Sequence, residues 1–213
     1  MRRARFADQR ALAAAVTAAL LRMEPASEVS PRGSLAAGTA DAYCDVDLAW
    51  VVPDGAVAES VRRLPVALRA VSEVASMRSD PDFQGSAVRR LIFVRFAGVP
   101  LFWRLDLEVS AASHAACLGV DVAAAGPRAT DVDWSLPESA AMNAAAAIKA
   151  LHRGRPADAD GLLTRGFARI DEPDPGGGPR HRVTALAAAA AGRDPRLRAL
   201  AADITAHLTR TRT

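Results

Sequence analysis

Lysine is almost missing from this chain: Lys149 stands alone against 26 arginines. Alanine is abundant, and the two together fit a GC-rich coding sequence. Much of the high isoelectric point, near 9.5, then reflects codon usage and not a designed basic surface. The formal net charge of +3 is too small for 213 residues to imply nucleic-acid binding on its own, and a nucleic-acid partner is not expected. Cysteine is also scarce. Cys44 and Cys117 are too few for a disulfide framework and lack the spacing of a metal site, which fits a reducing cytoplasm. Long apolar runs are absent, so no segment is expected to span a membrane. Arg2, Arg3 and Arg5 precede the small apolar run 11–21, a superficial likeness to a signal peptide. Asp8, Gln9 and Arg10 interrupt that pattern, and residues 22–25 offer no small-residue cleavage site. An amphipathic first helix over about residues 4–23, with Phe6, Ala13, Val16 and Leu20 near one face, explains the run better.

What is present is ordinary in bulk: 50% apolar and 24% charged residues, enough for one domain or two small ones with a buried core. One stretch, residues 33–48, carries chemistry. Gly33-Ser34 opens a turn of small residues. A ten-residue spacer leads to Asp45-Val46-Asp47, which runs into apolar residues 48–52. Side chains on a strand alternate faces, so Asp45 and Asp47 share one side while Val46, Leu48 and Trp50 take the inward side. Adjacent carboxylates repel unless a cation lies between them. Mg²⁺ suits a few carboxylates that leave room for substrate phosphates. The Gly-Ser turn offers a phosphate close backbone approach at Gly33, a hydroxyl at Ser34 and free N–H groups at a helix start. Ser34 also reads as a plain helix N-cap, a role compatible with the first.

Gly33-Ser34, a spacer of about ten and Asp45-x-Asp47 running into apolar residues resemble the motif of the DNA polymerase beta-like nucleotidyltransferase superfamily. The version here is most similar to small bacterial antibiotic (aminoglycoside and lincosamide) nucleotidyltransferases, at Gly33, Ser34, Ala36, Gly38, Ala40, Asp41, Asp45, Asp47 and Leu48. It departs at Ala37, where Arg is usual, and at Cys44, where Ser is usual. The resemblance implies a third carboxylate on a later strand.

The rest of the chain can be read in outline. Residues 27–32 suit a short strand that delivers the Gly-Ser turn, and residues 45–52 a central strand. Helical spacing over 56–70 meets Pro65, which should kink or split the helix. Residues 73–77 suit another strand and 79–82 a loop. The hairpin 89–96 and 101–109, joined at 97–100, is the clearest element. Beyond residue 135 the pattern is helical. Ser135-Leu-Pro-Glu138 has the form of a capping box, opening a helix that stops at Gly154. Helices near 157–170, 181–191 and 194–208 follow, with the Pro/Gly connection 173–179 between the first two of these. The expected fold is α+β: a mixed-sheet nucleotidyltransferase domain over 1–115, then a helical domain over 130–213, with the boundary within 111–134.

In the hairpin's second strand Leu101, Trp103, Leu105, Leu107 and Val109 share one face, and Phe102, Arg104, Asp106 and Glu108 the other. Asp106, flanked by leucines, suits the third carboxylate that the resemblance implies. Glu108, one pleat along at roughly 7 Å, is the other candidate. The bland alternative makes both the solvated face of an edge strand, with Arg104 as ion-pair partner. Lys149 could place a compact charge on a triphosphate, or act only as a cation near a helix C-terminus. Nothing orients His114 and Cys117 for catalysis. Arg89, Arg90 and Arg95 read as a solvated hairpin face.

By resemblance, the chain is expected to move a nucleoside monophosphate from a nucleoside triphosphate to the hydroxyl of a small, aminoglycoside-like acceptor. Asp45, Asp47 and Asp106 would hold Mg²⁺, up to two ions. Gly33, Ser34 and Lys149 would contact the nucleotide, and Asp106 could take the acceptor's proton. Two alternatives stay open: a nucleotidylating toxin–antitoxin component acting on protein or tRNA, and a relative that binds nucleotide without turnover.

Overall fold

The computed structural model describes residues 6–115 and 134–210, and the chain divides into two compact units, Met1–Trp134 and Ser135–Thr213. Part of the expected boundary segment, and Cys117, lie outside the described residues.

The first unit is built on a five-stranded mixed sheet in the order β1-β2-β5-β4-β3. Its strands are β1 (Glu28–Pro31), β2 (Val46–Val52), β3 (Val74–Ser79), β4 (Arg89–Phe96) and β5 (Leu105–Ala111). Only β2 and β5 pair in parallel. The middle of the sheet is therefore β5, not β2, and β5 is no edge strand. Alternation assigns the faces. Val46, Leu48 and Trp50 of β2, Leu105, Leu107 and Val109 of β5, and Ile92 and Val94 of β4 are all buried on one side. Helices α1 (Gln9–Met23) and α3 (Val57–Val71) cover that side with Leu12, Val16, Leu20, Leu64 and Leu68, forming one apolar cluster. The opposite side carries the acids.

Local chemistry sets several ends. Helix α1 begins at Gln9, later than expected, because the Asp8 carboxylate accepts the Ala11 N–H at 2.7 Å and fixes the start. Pro65 does not split α3. The buried row Ser60, Leu64, Ala67, Leu68 and Val71 holds the helix against the core around the missing hydrogen bond. Strand β5 starts at Leu105, so residues 101–104 do not alternate as a strand would. Phe102 is buried and meets the Tyr43 ring edge-on at 5.2 Å. Arg89 and Arg90 are not a solvated face. Arg89 pairs with Glu108 and stacks on Phe83, and Arg90 donates to the Phe83 and Arg89 carbonyls. The first unit also takes in Trp134, which meets Phe93 edge-on at 5.9 Å and lies 4.5 Å from the Arg78 guanidinium.

After the short α4 (Ala112–Ala115), the second unit holds α5 (Leu136–His152), α6 (Pro156–Arg169), α7 (Pro179–Arg193) and α8 (Arg198–Arg210). Helix α5 packs against the other three and does so through small residues: Ala140, Ala141, Ala144, Ala145 and Ala147 are all buried. The Ser135 hydroxyl accepts the Glu138 N–H at 3.2 Å, and Gly154 follows the helix at φ +67°. A short turn of 3-10 helix, Pro195–Leu197, precedes α8 where one continuous helix was expected.

Candidate functional site

The parallel pairing of β2 with β5 sets Asp47 directly opposite Asp106. Register partners on neighbouring strands point the same way at the strand spacing of about 4.8 Å. Two carboxylates far apart in sequence thus become neighbours on the face away from α1 and α3. Asp45 sits in the turn just before β2. That turn is ordered by Asp41, whose carboxylate accepts from the Tyr43 N–H at 2.8 Å and the Cys44 thiol at 3.1 Å. Gln9 on α1 donates to the Asp41 carbonyl at 2.6 Å. Cys44 is buried and does the hydrogen-bonding work that a serine would do there.

The Gly-Ser turn lies against Asp47. Short helix α2 (Gly33–Ala37) follows β1, and the Arg32 N–H donates to the Asp47 carbonyl at 2.8 Å. Gly33 has φ +53°, and a Cβ there would lie 2.6 Å from Asp47 Oδ2. The left-handed backbone favours glycine, and a Cβ would also push the Asp47 carboxylate aside. Ser34 lies inside α2 and is not its N-cap; Arg32 holds that position without a side-chain hydrogen bond. Ala37, where arginine is usual in the resembling motif, is exposed at the end of α2.

One residue gains a larger role than the sequence suggested. Arg104 donates from Nε and a terminal nitrogen to the two oxygens of Asp106, both at 2.5 Å, a bidentate fork. Its guanidinium lies 4.8 Å from the Phe93 ring centre, and Phe93 is the β4 register partner of Asp106. Burial disfavours its charge, but the hydrogen bonds and charge of Asp106, then the charges of Asp45 and Asp47, outweigh this and raise its pKa above the usual arginine value. The signal was its position two residues before Asp106.

Glu108 is engaged elsewhere. Arg89 lies 3.2 Å and Arg32 3.8 Å from its two oxygens. Opposite it on β2 is Ala49, not an acid. Within the first unit Gly33 thus lies against Asp47, and Asp47 stands opposite Asp106; Ser34 follows Gly33 in α2 and Asp45 precedes β2. Lys149 lies in the last turn of α5, in the second unit, and His114 in α4.

For a divalent cation, the donors are all carboxylate oxygens, the kind Mg²⁺ takes, and two of them stand in register. Among the described residues no three of His, Cys, Asp and Glu form a metal-holding group. Arg104 already occupies both oxygens of Asp106. The acids suit such an ion in kind, and a cation at Asp106 would have to compete with the Arg104 guanidinium.

No family model and no curated protein matches the chain.

Proposed function

We propose that this protein transfers a nucleoside monophosphate from a nucleoside triphosphate to a hydroxyl of a small acceptor, releasing pyrophosphate. The observation that carries the reading is the register pairing of Asp47 with Asp106, with Gly33 stripped of a side chain where Asp47 needs the room. The motif's resemblance supplies the reaction class, and it extends the proposal to a nucleotidyltransferase domain followed by a helical one. In the reaction the acceptor oxygen forms a bond to the α-phosphorus. The bond from that phosphorus to the bridging oxygen breaks, and pyrophosphate leaves with the electron pair.

Asp45 and Asp47 would hold Mg²⁺, with Asp106 as a third ligand. When bound, the ion offsets negative charge on the phosphates. Gly33 allows the chain to approach a phosphate closely, and the Ser34 hydroxyl can donate to it. Asp106 takes the acceptor's proton once Arg104 yields one of its oxygens. The acceptor proposed by resemblance is aminoglycoside-like.

A matrix of nucleoside triphosphates and hydroxylated acceptors, read by pyrophosphate release, tests the proposal. Turnover should depend on Mg²⁺. Asp45→Asn and Asp47→Asn should each nearly abolish it while circular dichroism and melting stay close to wild type. Near-normal rates in either variant at saturating Mg²⁺ would remove the assignment.

A further inference from the structure

We propose that Arg104 is the built-in counter-ion of this acid cluster, which holds Asp106 until a divalent cation displaces its guanidinium. The inference rests on the metal-dependent reading above and adds a positioning residue to it.

A row of side chains runs across the sheet in register: Asp47 on β2, Asp106 on β5, Phe93 on β4 and Arg78 on β3. Arg104 reaches into that row between Asp106 and Phe93, with the fork on one and the ring beside it on the other. Its backbone is fixed, because the Arg104 carbonyl accepts the Val46 N–H at 2.8 Å, between the two motif acids. Only the side chain is therefore free to change partner. Asp47 and Asp106 stand in register and repel each other, and the Arg104 guanidinium, which also feels the charges of Asp45 and Asp47, offsets part of that repulsion. An ion entering the cluster meets the same carboxylate that the fork occupies. Arginine and cation then bind Asp106 in competition, and the coupling is reciprocal.

Mn²⁺ is the probe, its affinity measured by titration calorimetry and by paramagnetic resonance of the free ion, without substrate. Wild type is compared with Arg104→Gln, Asp47→Asn and the double variant Arg104→Gln/Asp106→Asn. Arg104→Gln should bind Mn²⁺ roughly fivefold or more tightly, within the usual range for coupled sites. Its melting temperature without metal should fall, and Mn²⁺ should raise it by more than in wild type. The double variant should lose the gain in affinity, since the gain acts through Asp106. Should Arg104→Gln not fold, Arg104→Lys serves: one ammonium cannot hold both oxygens, so a smaller gain is expected. Asp47-dependent binding in wild type that is unchanged or weakened in the Arg104 variants would overturn the inference and leave the metal reading standing. No Asp47-dependent binding in wild type or in any Arg104 variant would overturn both.

Discussion

At Gly33 two requirements coincide, a positive φ and the nearness of Asp47 Oδ2, so Gly33→Ala tests the turn directly. The left-handed backbone alone costs a non-glycine residue about 1–2 kcal/mol. Denaturant unfolding should show a loss of that order, and turnover should collapse because the new Cβ moves the Asp47 carboxylate. Asp106 and Glu108 make a second comparison. Both lie on β5 and are similarly half-buried, but Asp106 faces Asp47 whereas Glu108 is held by Arg89 and Arg32. Asp106→Asn should lower kcat by at least about 10²-fold, the scale for loss of a general base. Glu108→Gln should instead cost roughly 1–2 kcal/mol of stability, between exposed and buried ion pairs, with little change in kcat. A reversed order in steady-state kinetics would move the third carboxylate to Glu108.

At the scale of elements, the ends of helices and the pairing of β1 with β2 carry measurable terms. Ser135→Ala removes the N-cap of α5 and should cost about 1 kcal/mol, read as a lower denaturation midpoint without a change in slope. Ser27→Ala should cost about 1–3 kcal/mol. Its hydroxyl accepts the buried Trp50 indole N–H at 2.8 Å, and that donor would be left without a partner. Such caps were legible beforehand, because a cap needs only neighbours in sequence. Ser135 and Gly154 mark α5 in the bare chain. The start of β5 was not legible. The pattern of large and polar residues continues through residues 101–104, yet Phe102 turns to Tyr43, a partner far away in sequence.

Across the whole molecule, response to pH follows from where arginines meet carboxylates. In the second unit Arg182 is buried, and its guanidinium reaches Asp160, Asp174 and Thr164. The hydrogen bond from Arg182 is the main cause that lowers the Asp174 pKa from its ordinary 3.8. A carboxylate depressed in the folded state adds stability above its unfolded pKa and loses it as pH falls through the folded one. Unfolding free energies should therefore separate wild type from Asp174→Asn at pH 6, and the gap should close as pH drops below about 4. A gap unchanged even where Asp174 is protonated in the folded state would assign the effect to geometry and not to charge. Arg182 itself stays cationic across this range, so it adds no slope of its own.

The sequence by itself determined what short-range chemistry decides. It marked the paired acids beside a Gly-Ser turn, the inward leucines and valines of β2 and β5, the cap and stop of α5, and the α+β class. Each needs only the alternation of a strand, the pitch of a helix or the conformational freedom of glycine. Tertiary structure alone decided that β5 lies beside β2 in parallel, so that Asp106 faces Asp47 while Glu108 does not. Strand order and register come from burying one face of the whole sheet under α1 and α3, a condition that no local window contains. The same condition set Arg104 against Asp106 beside Phe93.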